Sequence, residues 1–283
     1  MSEKKVTILD VQQAKEKGRK LVMCTAYDYP FALMADEAGM DMVLVGDSLG
    51  MVVMGLDGTV EVTMEHMIHH IKAVVRGCKG PLVIGDMPFM SYNTSVREAI
   101  QNAGRLMKEG GCEAIKLEGG VDFAPTIQAI VKAGIPVQGH IGLTPQTASA
   151  LGGFKMQGRD AEAAKQIIED AKGLEQAGAF SMILEAVPAP LGQLVSEAVK
   201  VPVIGIGAGP NVDGQVLVTY DMIGLFDKFV PKFVKQYTQT RKTILKAFKE
   251  YREDVQAVNF PGPEHSFKMA DEVLKRLKKL VES

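Results

Sequence analysis

The sequence predicts an α/β fold, a (β/α)8 TIM barrel, on three observations. Short runs rich in Val, Ile and Leu recur eight times. Amphipathic segments stand between them, and several of these end in glycine just before the next run. The eight units cover about 250 residues, the usual extent of such a barrel. Near-continuous apolar runs suit parallel strands buried on both faces. An open doubly wound sheet has the same alternation and stands as the alternative. No linker interrupts the pattern, so the chain reads as one domain, 1–283. Its barrel core covers about 20–245, with a short N-terminal helix before it and a C-terminal helical extension, about 246–283, after it.

In chain order, residues 7–20 hold a short helix opened by Thr7 or Asp10, placed to close the barrel bottom. The strand candidates are Leu21 to Ala26, Met42 to Val45, Leu82 to Ile84, Ala114 to Leu117, Ile135 to Val137, Ser181 to Leu184, Val201 to Ile206 and Met222 to Phe226. Helical spacing marks Val96 to Glu109, Phe123 to Ala133 and Ala161 to Ala177. Gly39, Gly110-Gly111, Gly134 and Gly178 fall where helix C-caps are needed. Residues 228–283 read as lysine-rich helix broken at Pro261 and Pro263, and the charges of Lys275 to Lys279 as a solvated helix face.

Composition narrows the function. The 283 residues carry 32 basic and 34 acidic side chains, net −2, with 46% hydrophobic and 23% charged residues. These proportions fit a globular chain and argue against disorder. No basic excess is available to neutralise phosphates, so no nucleic-acid partner is expected. Cys24, Cys78 and Cys112 lie far apart without metal-ligand spacing, which suggests reduced thiols and a cytoplasmic protein. The N-terminus lacks the apolar run of a signal peptide, and no stretch of about 18 apolar residues predicts a membrane span.

Ionisable residues at the ends of the runs carry the chemistry. The second run ends Val45-Gly46-Asp47-Ser48, the third Gly85-Asp86, the fourth Lys116-Leu117-Glu118, and the sixth Leu184-Glu185, while the fifth leads into His140. Side chains alternate along a strand, so placing Ile115 and Leu117 against the helices aims Lys116 and Glu118 into the barrel. The same parity groups Asp47 with Val43 and Val45, Asp86 with Leu82 and Ile84, and Glu185 with Ser181 and Ile183. Four carboxylates, one lysine and one histidine then meet at the C-terminal mouth, where barrel enzymes place their active sites. Buried charge of one sign needs compensation. An oxygen-donor set without cysteine points to Mg2+ rather than Zn2+.

Other signals are weaker. His66, His69 and His70 could share one helix face, exposed or at an interface. Gly205-Ile206-Gly207-Ala208-Gly209 is followed by Pro210, so a dinucleotide fingerprint fails, although a close backbone approach to an anionic or planar ligand fits. Gly152 to Arg159 forms a long loop, either a lid or a surface excursion. Methionines 40, 42, 51 and 54 suit core filling.

Over roughly residues 7–260 the sequence resembles the ketopantoate hydroxymethyltransferase family. The resemblance rests on Val45-Gly46-Asp47-Ser48-Leu49-Gly50-Met51, Gly85-Asp86-Met87-Pro88-Phe89-Met90 and Lys116-Leu117-Glu118-Gly119-Gly120. Gly139-His140-Ile141-Gly142-Leu143-Thr144-Pro145, Lys155-Met156-Gln157-Gly158-Arg159 and Leu184-Glu185-Ala186-Val187-Pro188 extend it. The glycine-rich run from Gly205 and Asp221-Met222-Ile223-Gly224-Leu225-Phe226 complete the family's order. The resemblance implies a homodecameric barrel on the pantothenate and coenzyme A pathway. It would move a hydroxymethyl group from 5,10-methylenetetrahydrofolate to 3-methyl-2-oxobutanoate, giving 2-dehydropantoate.

Carried over residue by residue, the resemblance puts Mg2+ ligands on Asp47, Asp86 and Glu118. It puts keto-acid contacts on Asp47, Ser48, Asp86 and Lys116, the proton acceptor on Glu185, and His140 in the same pocket. The run Leu56 to Thr63 departs from the family pattern, and the last twenty or so residues carry no resemblance. Gly46-Asp47-Ser48-Leu49-Gly50 also resembles phosphoenolpyruvate mutase and isocitrate lyase-type enzymes, but their Lys-Lys-Cys-Gly-His loop is missing from this chain. A non-catalytic barrel or folate-binding scaffold is the remaining alternative, and the intact acids, lysine and base weigh against it.

Overall fold

A computed structural model describes residues 4–150 and 152–282. Its centre is a closed, all-parallel barrel in the order β1 to β8. The strands are β1 (Leu21–Thr25), β2 (Met42–Val45), β3 (Leu82–Asp86), β4 (Ala114–Glu118), β5 (Val137–Gly142), β6 (Ser181–Glu185), β7 (Val203–Ile206) and β8 (Gly214–Leu217). Around and beyond it lie α1 (Ile8–Glu16), α2 (Tyr29–Glu37), α3 (Leu49–Val52), α4 (Met64–Gly77), α5 (Val96–Arg105), α6 (Ala124–Lys132), α7 (Ala161–Gln176), α8 (Ala189–Ala198), α9 (Thr219–Met222), α10 (Thr240–Gln256) and α11 (Asp271–Val281). Barrel closure excludes the open-sheet alternative.

Side-chain alternation divides the core into two layers. Met23, Met42, Leu44, Leu82, Ile84, Ala114, Ile183 and Ile204 fill the lumen. Val43, Val45, Val83, Ile115, Leu117, Met182 and Leu184 face the helices. Because both faces are buried, the strands read as unbroken apolar runs. The N-terminal helix behaves as expected: Thr7 caps α1 in a capping box with Asp10, and Val11 and Ala14 join the lumen cluster. Lys15 on the same helix reaches Ser196 O at 2.7 Å and Asp213 Oδ2 at 2.9 Å, fastening α1 beneath the barrel.

Helix ends follow their sequence signals. Asp160 caps α7 by accepting from Ala163 N at 2.8 Å, and Gly178 follows the helix at φ +98, a conformation that disfavours a Cβ. The segment from Val96 continues beyond α5 as a π turn, Leu106–Gly110, before β4.

Several strand boundaries differ from the sequence expectation; β1, β3, β4 and β6 end one or two residues from the expected place. The fifth strand begins at Val137, where the expected run ends, and continues through His140 to Gly142. The seventh starts at Val203 rather than Val201. The eighth is Gly214–Leu217, whereas Met222 to Phe226 spans the end of α9 and the turn after it. β8 lacks a continuous apolar run because its outer face is open: Gln215 is exposed, as is Val22 on adjoining β1. Helices α10 and α11 bury none of their residues, and Phe248 and Tyr251 on α10 lie exposed. Among the described residues, no helix is long and apolar enough to cross a membrane.

Candidate active site

The C-terminal strand ends bring every expected site residue into one cavity: Asp47, Ser48, Asp86, Lys116, Glu118, His140 and Glu185 all line it. Asp86, Lys116, Glu118 and Glu185 arrive by strand alternation, as expected. Asp47 does not. Val43 and Val45 face the helices, so strict alternation would send Asp47 outward. β2 ends at Val45, and the turn through Gly46 into α3 swings Asp47 back to the mouth. Its backbone N–H then donates to Asp86 Oδ2 at 3.1 Å.

Lys116 is the electrostatic centre. Its ammonium donates to Asp86 Oδ1 at 2.6 Å and stands 3.5 Å from Glu118 Oε1, with all three side chains buried. Burial opposes its charge, but Asp86, Glu118 and Asp47 outweigh that effect and hold its pKa above the ordinary lysine range. Burial and the neighbouring Asp86 push the Asp47 carboxyl well up, against the pull of Lys116. Burial likewise raises Asp86 despite its contact with Lys116. Glu118 falls the other way: Lys116 and His140 outweigh burial and keep it below its usual value.

His140 links this group to Glu185. Its Nδ1 lies 3.3 Å from Glu118 Oε1 and its Nε2 3.3 Å from Glu185 Oε2. Burial and Lys116 disfavour the imidazolium, but the two carboxylates prevail and lift its pKa to about 9. Neither ring nitrogen has the alignment of a hydrogen bond, so the contact is one of charge and proximity. Beyond it, Gly142 has φ +88, and a Cβ there would stand 2.3 Å from the Glu185 carbonyl oxygen. That close approach holds the ends of β5 and β6 together.

Several functional side chains escaped the sequence reading. Gln146 donates through Nε2 to Asp47 Oδ2 at 2.8 Å and to the Met87 carbonyl at 2.9 Å, and through its backbone N–H to Glu118 Oε2 at 3.0 Å. The Tyr92 hydroxyl donates to Gln146 Oε1 at 2.6 Å. One residue therefore orients two of the three expected ligand carboxylates, Asp47 through its side-chain amide and Glu118 through its backbone N–H. Tyr27 meets Ser48 Oγ at 2.9 Å. Asp221 also lines the cavity, its carboxyl raised by burial to about 6.

The weaker sequence signals separate. His66 completes a capping box with Thr63, and His70 Nδ1 lies 2.6 Å from the Tyr27 carbonyl oxygen. The loop after β5 borders the mouth through Phe154, and Gln157 N donates to the Ala186 carbonyl at 2.9 Å. After β7, Gly207 abuts the ring of Phe233, where a Cβ would come within 2.6 Å.

The donor set matches Mg2+ by chemistry. Asp47, Asp86 and Glu118 offer hard oxygens and more negative charge than Lys116 alone balances. Among the described residues no group of three or more histidine, cysteine, aspartate or glutamate side chains is arranged to hold a metal ion.

A family model described as ketopantoate hydroxymethyltransferase matches residues 5–263. The chain belongs to the ketopantoate hydroxymethyltransferase family. Proteins named 3-methyl-2-oxobutanoate hydroxymethyltransferase are similar across nearly the whole length. The one from Heliobacterium modesticaldum is 57% identical, covering 95% of this chain and 98% of its own. The one from Syntrophobacter fumaroxidans is 58% identical, with 96% of each chain covered. Membership in this enzyme family accounts for the strand-end motifs together. Among solved structures, a phosphonopyruvate hydrolase shares the fold at TM-score 0.61 and 12% identity, covering 99% of this chain and 96% of that one. A 2,3-dimethylmalate lyase does so at TM-score 0.59 and 16% identity, covering 97% and 95%. These two likenesses concern the fold alone.

Proposed function

We propose that this family member makes 2-dehydropantoate from 3-methyl-2-oxobutanoate for pantothenate biosynthesis, with 5,10-methylenetetrahydrofolate as the one-carbon donor. The observation that carries the reading is the buried Asp86–Lys116–Glu118 group joined through His140 to Glu185. A 2-keto acid becomes nucleophilic at C3 only after that carbon loses a proton. The site must therefore hold the keto acid, stabilise enolate charge and present a base.

Each task has a residue. Asp47, Asp86 and Glu118 would hold Mg2+, which supplies Lewis-acid stabilisation of developing enolate charge. Lys116 offers the positive charge for the substrate carboxylate, and Ser48, held by Tyr27, a hydroxyl beside it. Asp47 and Asp86 complete the keto-acid contacts. Glu185 accepts the C3 proton, with His140 fixing the carboxylate from its other side. Water opens the methylene bridge of the donor, releasing tetrahydrofolate and a one-carbon unit at the oxidation level of formaldehyde. The C3 carbanion equivalent adds to its carbon, and its oxygen takes up a proton to become the new hydroxyl.

The chain is read as one catalytic domain, 1–283, working in the cytoplasm on small molecules; its buried free thiols fit a reducing compartment. A homo-oligomer, a decamer by family resemblance, is supported by the exposed apolar side chains of α10 and α11 and the open outer face at Val22. Purified protein with Mg2+, tetrahydrofolate, formaldehyde and 3-methyl-2-oxobutanoate is expected to form 2-dehydropantoate. Absence of product across metal concentration and pH would refute the activity.

A further inference from the structure

Asp221 is a buried carboxylate without a role in proton removal or metal holding. It is 8% exposed, sits on α9 just beyond β8, and lines the same cavity as Glu185. Among the described residues it makes no side-chain hydrogen bond or ion pair. Burial raises its pKa to about 6. With no protein donor on it and a place in the cavity lining, the carboxylate is available to accept from a ligand held there.

The neighbouring wall indicates the shape of that donor. Phe226, Phe229, Pro231, Phe233 and Val234 follow Asp221 in sequence and line the cavity with it. The Phe233 ring is seated against the Gly207 backbone, which leaves no room for a Cβ. An apolar, aromatic lining shared with one acceptor-only carboxylate suits a planar heteroaromatic ring whose edge bears adjacent N–H donors. A 2-amino-4-oxopyrimidine ring has such an edge: the ring N3–H and the exocyclic 2-amino group can both reach one carboxylate.

We propose that Asp221 and the Phe226–Val234 wall form the subsite for the pterin ring of the one-carbon donor, with the Asp221 carboxylate accepting from N3–H and the 2-amino group. This rests on the donor assignment made above. It makes Asp221 a specificity residue for the donor, leaving enolisation of the keto acid to the Asp86–Lys116–Glu118 and Glu185 groups. No bond to Asp221 forms or breaks.

The test uses full-length wild-type protein and Asp221→Asn. Tetrahydrofolate and its 2-desamino-2-methyl analogue are titrated by calorimetry, and C3 deuterium exchange of 3-methyl-2-oxobutanoate is followed with Mg2+ and no folate. The substitution is expected to weaken tetrahydrofolate binding roughly 10- to 100-fold, the loss typical of a hydrogen bond to a charged group. Exchange is expected to stay within about 2-fold, a benchmark small beside a lost charge-assisted bond. Wild type is expected to prefer tetrahydrofolate to the analogue, and Asp221→Asn to lose that preference, which a merely structural role would not produce. Equal tetrahydrofolate binding by both proteins overturns the inference while leaving the donor assignment intact. Exchange falling in step with folate binding also overturns it, since Asp221 would then act on the keto acid. Wild-type protein that neither binds tetrahydrofolate nor forms product removes the donor assignment and the subsite together.

Discussion

Replacing Lys116 by methionine removes, among the described residues, the only ammonium that contacts the buried acids Asp86 and Glu118, while keeping most of the side-chain volume. The lysine lies 2.6 Å from Asp86 Oδ1 and 3.5 Å from Glu118 Oε1, and the side chains are 4%, 1% and 2% exposed. Breaking a buried pair by deleting one partner costs about 3–5 kcal/mol, because the remaining charge is stranded. At about 2–4 °C per kcal/mol for a chain of this size, the thermal midpoint falls by roughly 6–20 °C. The sign with pH follows from the acids. Burial and charge repulsion hold Asp47 above its ordinary 3.8 in the folded chain, and burial does the same for Asp86. Groups raised in this way favour the fold below 3.8 and withdraw that support as pH climbs through their folded values. Without Lys116 both rise further, so the deficit is small in acid and widens toward neutral pH. Circular-dichroism melts of both proteins across that range read it directly. A Lys116→Met protein that melts with wild type throughout would show that the lysine does not stabilise these carboxylates.

Three further outcomes follow from the same geometry. Gln146→Leu frees Asp47 and leaves Tyr92 only the Glu118 carbonyl, 3.2 Å away, as acceptor, so kcat/KM is expected to drop about 10- to 100-fold with stability lowered by about 1–3 kcal/mol; unchanged kinetics would remove Gln146 as a positioning residue. Asp47→Asn and Asp86→Asn are each expected to weaken Mg2+ binding in calorimetric titration, and unaltered isotherms would exclude them as ligands. Gly142→Ala places a Cβ 2.3 Å from the Glu185 carbonyl oxygen at φ +88. It is expected to destabilise by about 1–3 kcal/mol from backbone strain and to slow C3 exchange; exchange at the wild-type rate would show that Gly142 does not set the Glu185 position.

What the amino-acid order revealed depended on how strongly each residue was constrained by periodicity. Lys116 and Glu118 were legible because Ile115 and Leu117 mark the opposite face of a strand buried on both sides. The eighth strand was not. Gly214-Gln215-Val216-Leu217 has an exposed outer face, so it lacks a continuous apolar run, while the apolar run Met222 to Phe226 spans the end of α9 and the turn after it, with Phe226 at the mouth. Asp47 reached the site against its parity, since a turn rather than a strand aims it. Gln146 and Tyr92 carry no charge and lie in turns without a period, so their hydrogen bonds to the acids could be found only in three dimensions. Asp221 stands in the motif Asp221 to Phe226, but its burial in the cavity lining depends on segments distant in sequence and could be found only in three dimensions.

The central claim is that Glu185 takes the C3 proton, and deuterium exchange at C3 of 3-methyl-2-oxobutanoate measures that step alone. With Mg2+ and no folate, wild-type protein is expected to exchange this proton, and Glu185→Gln to do so at least about 100-fold more slowly with keto-acid binding retained. Exchange by Glu185→Gln at the wild-type rate would contradict the account and place the base elsewhere in the cavity.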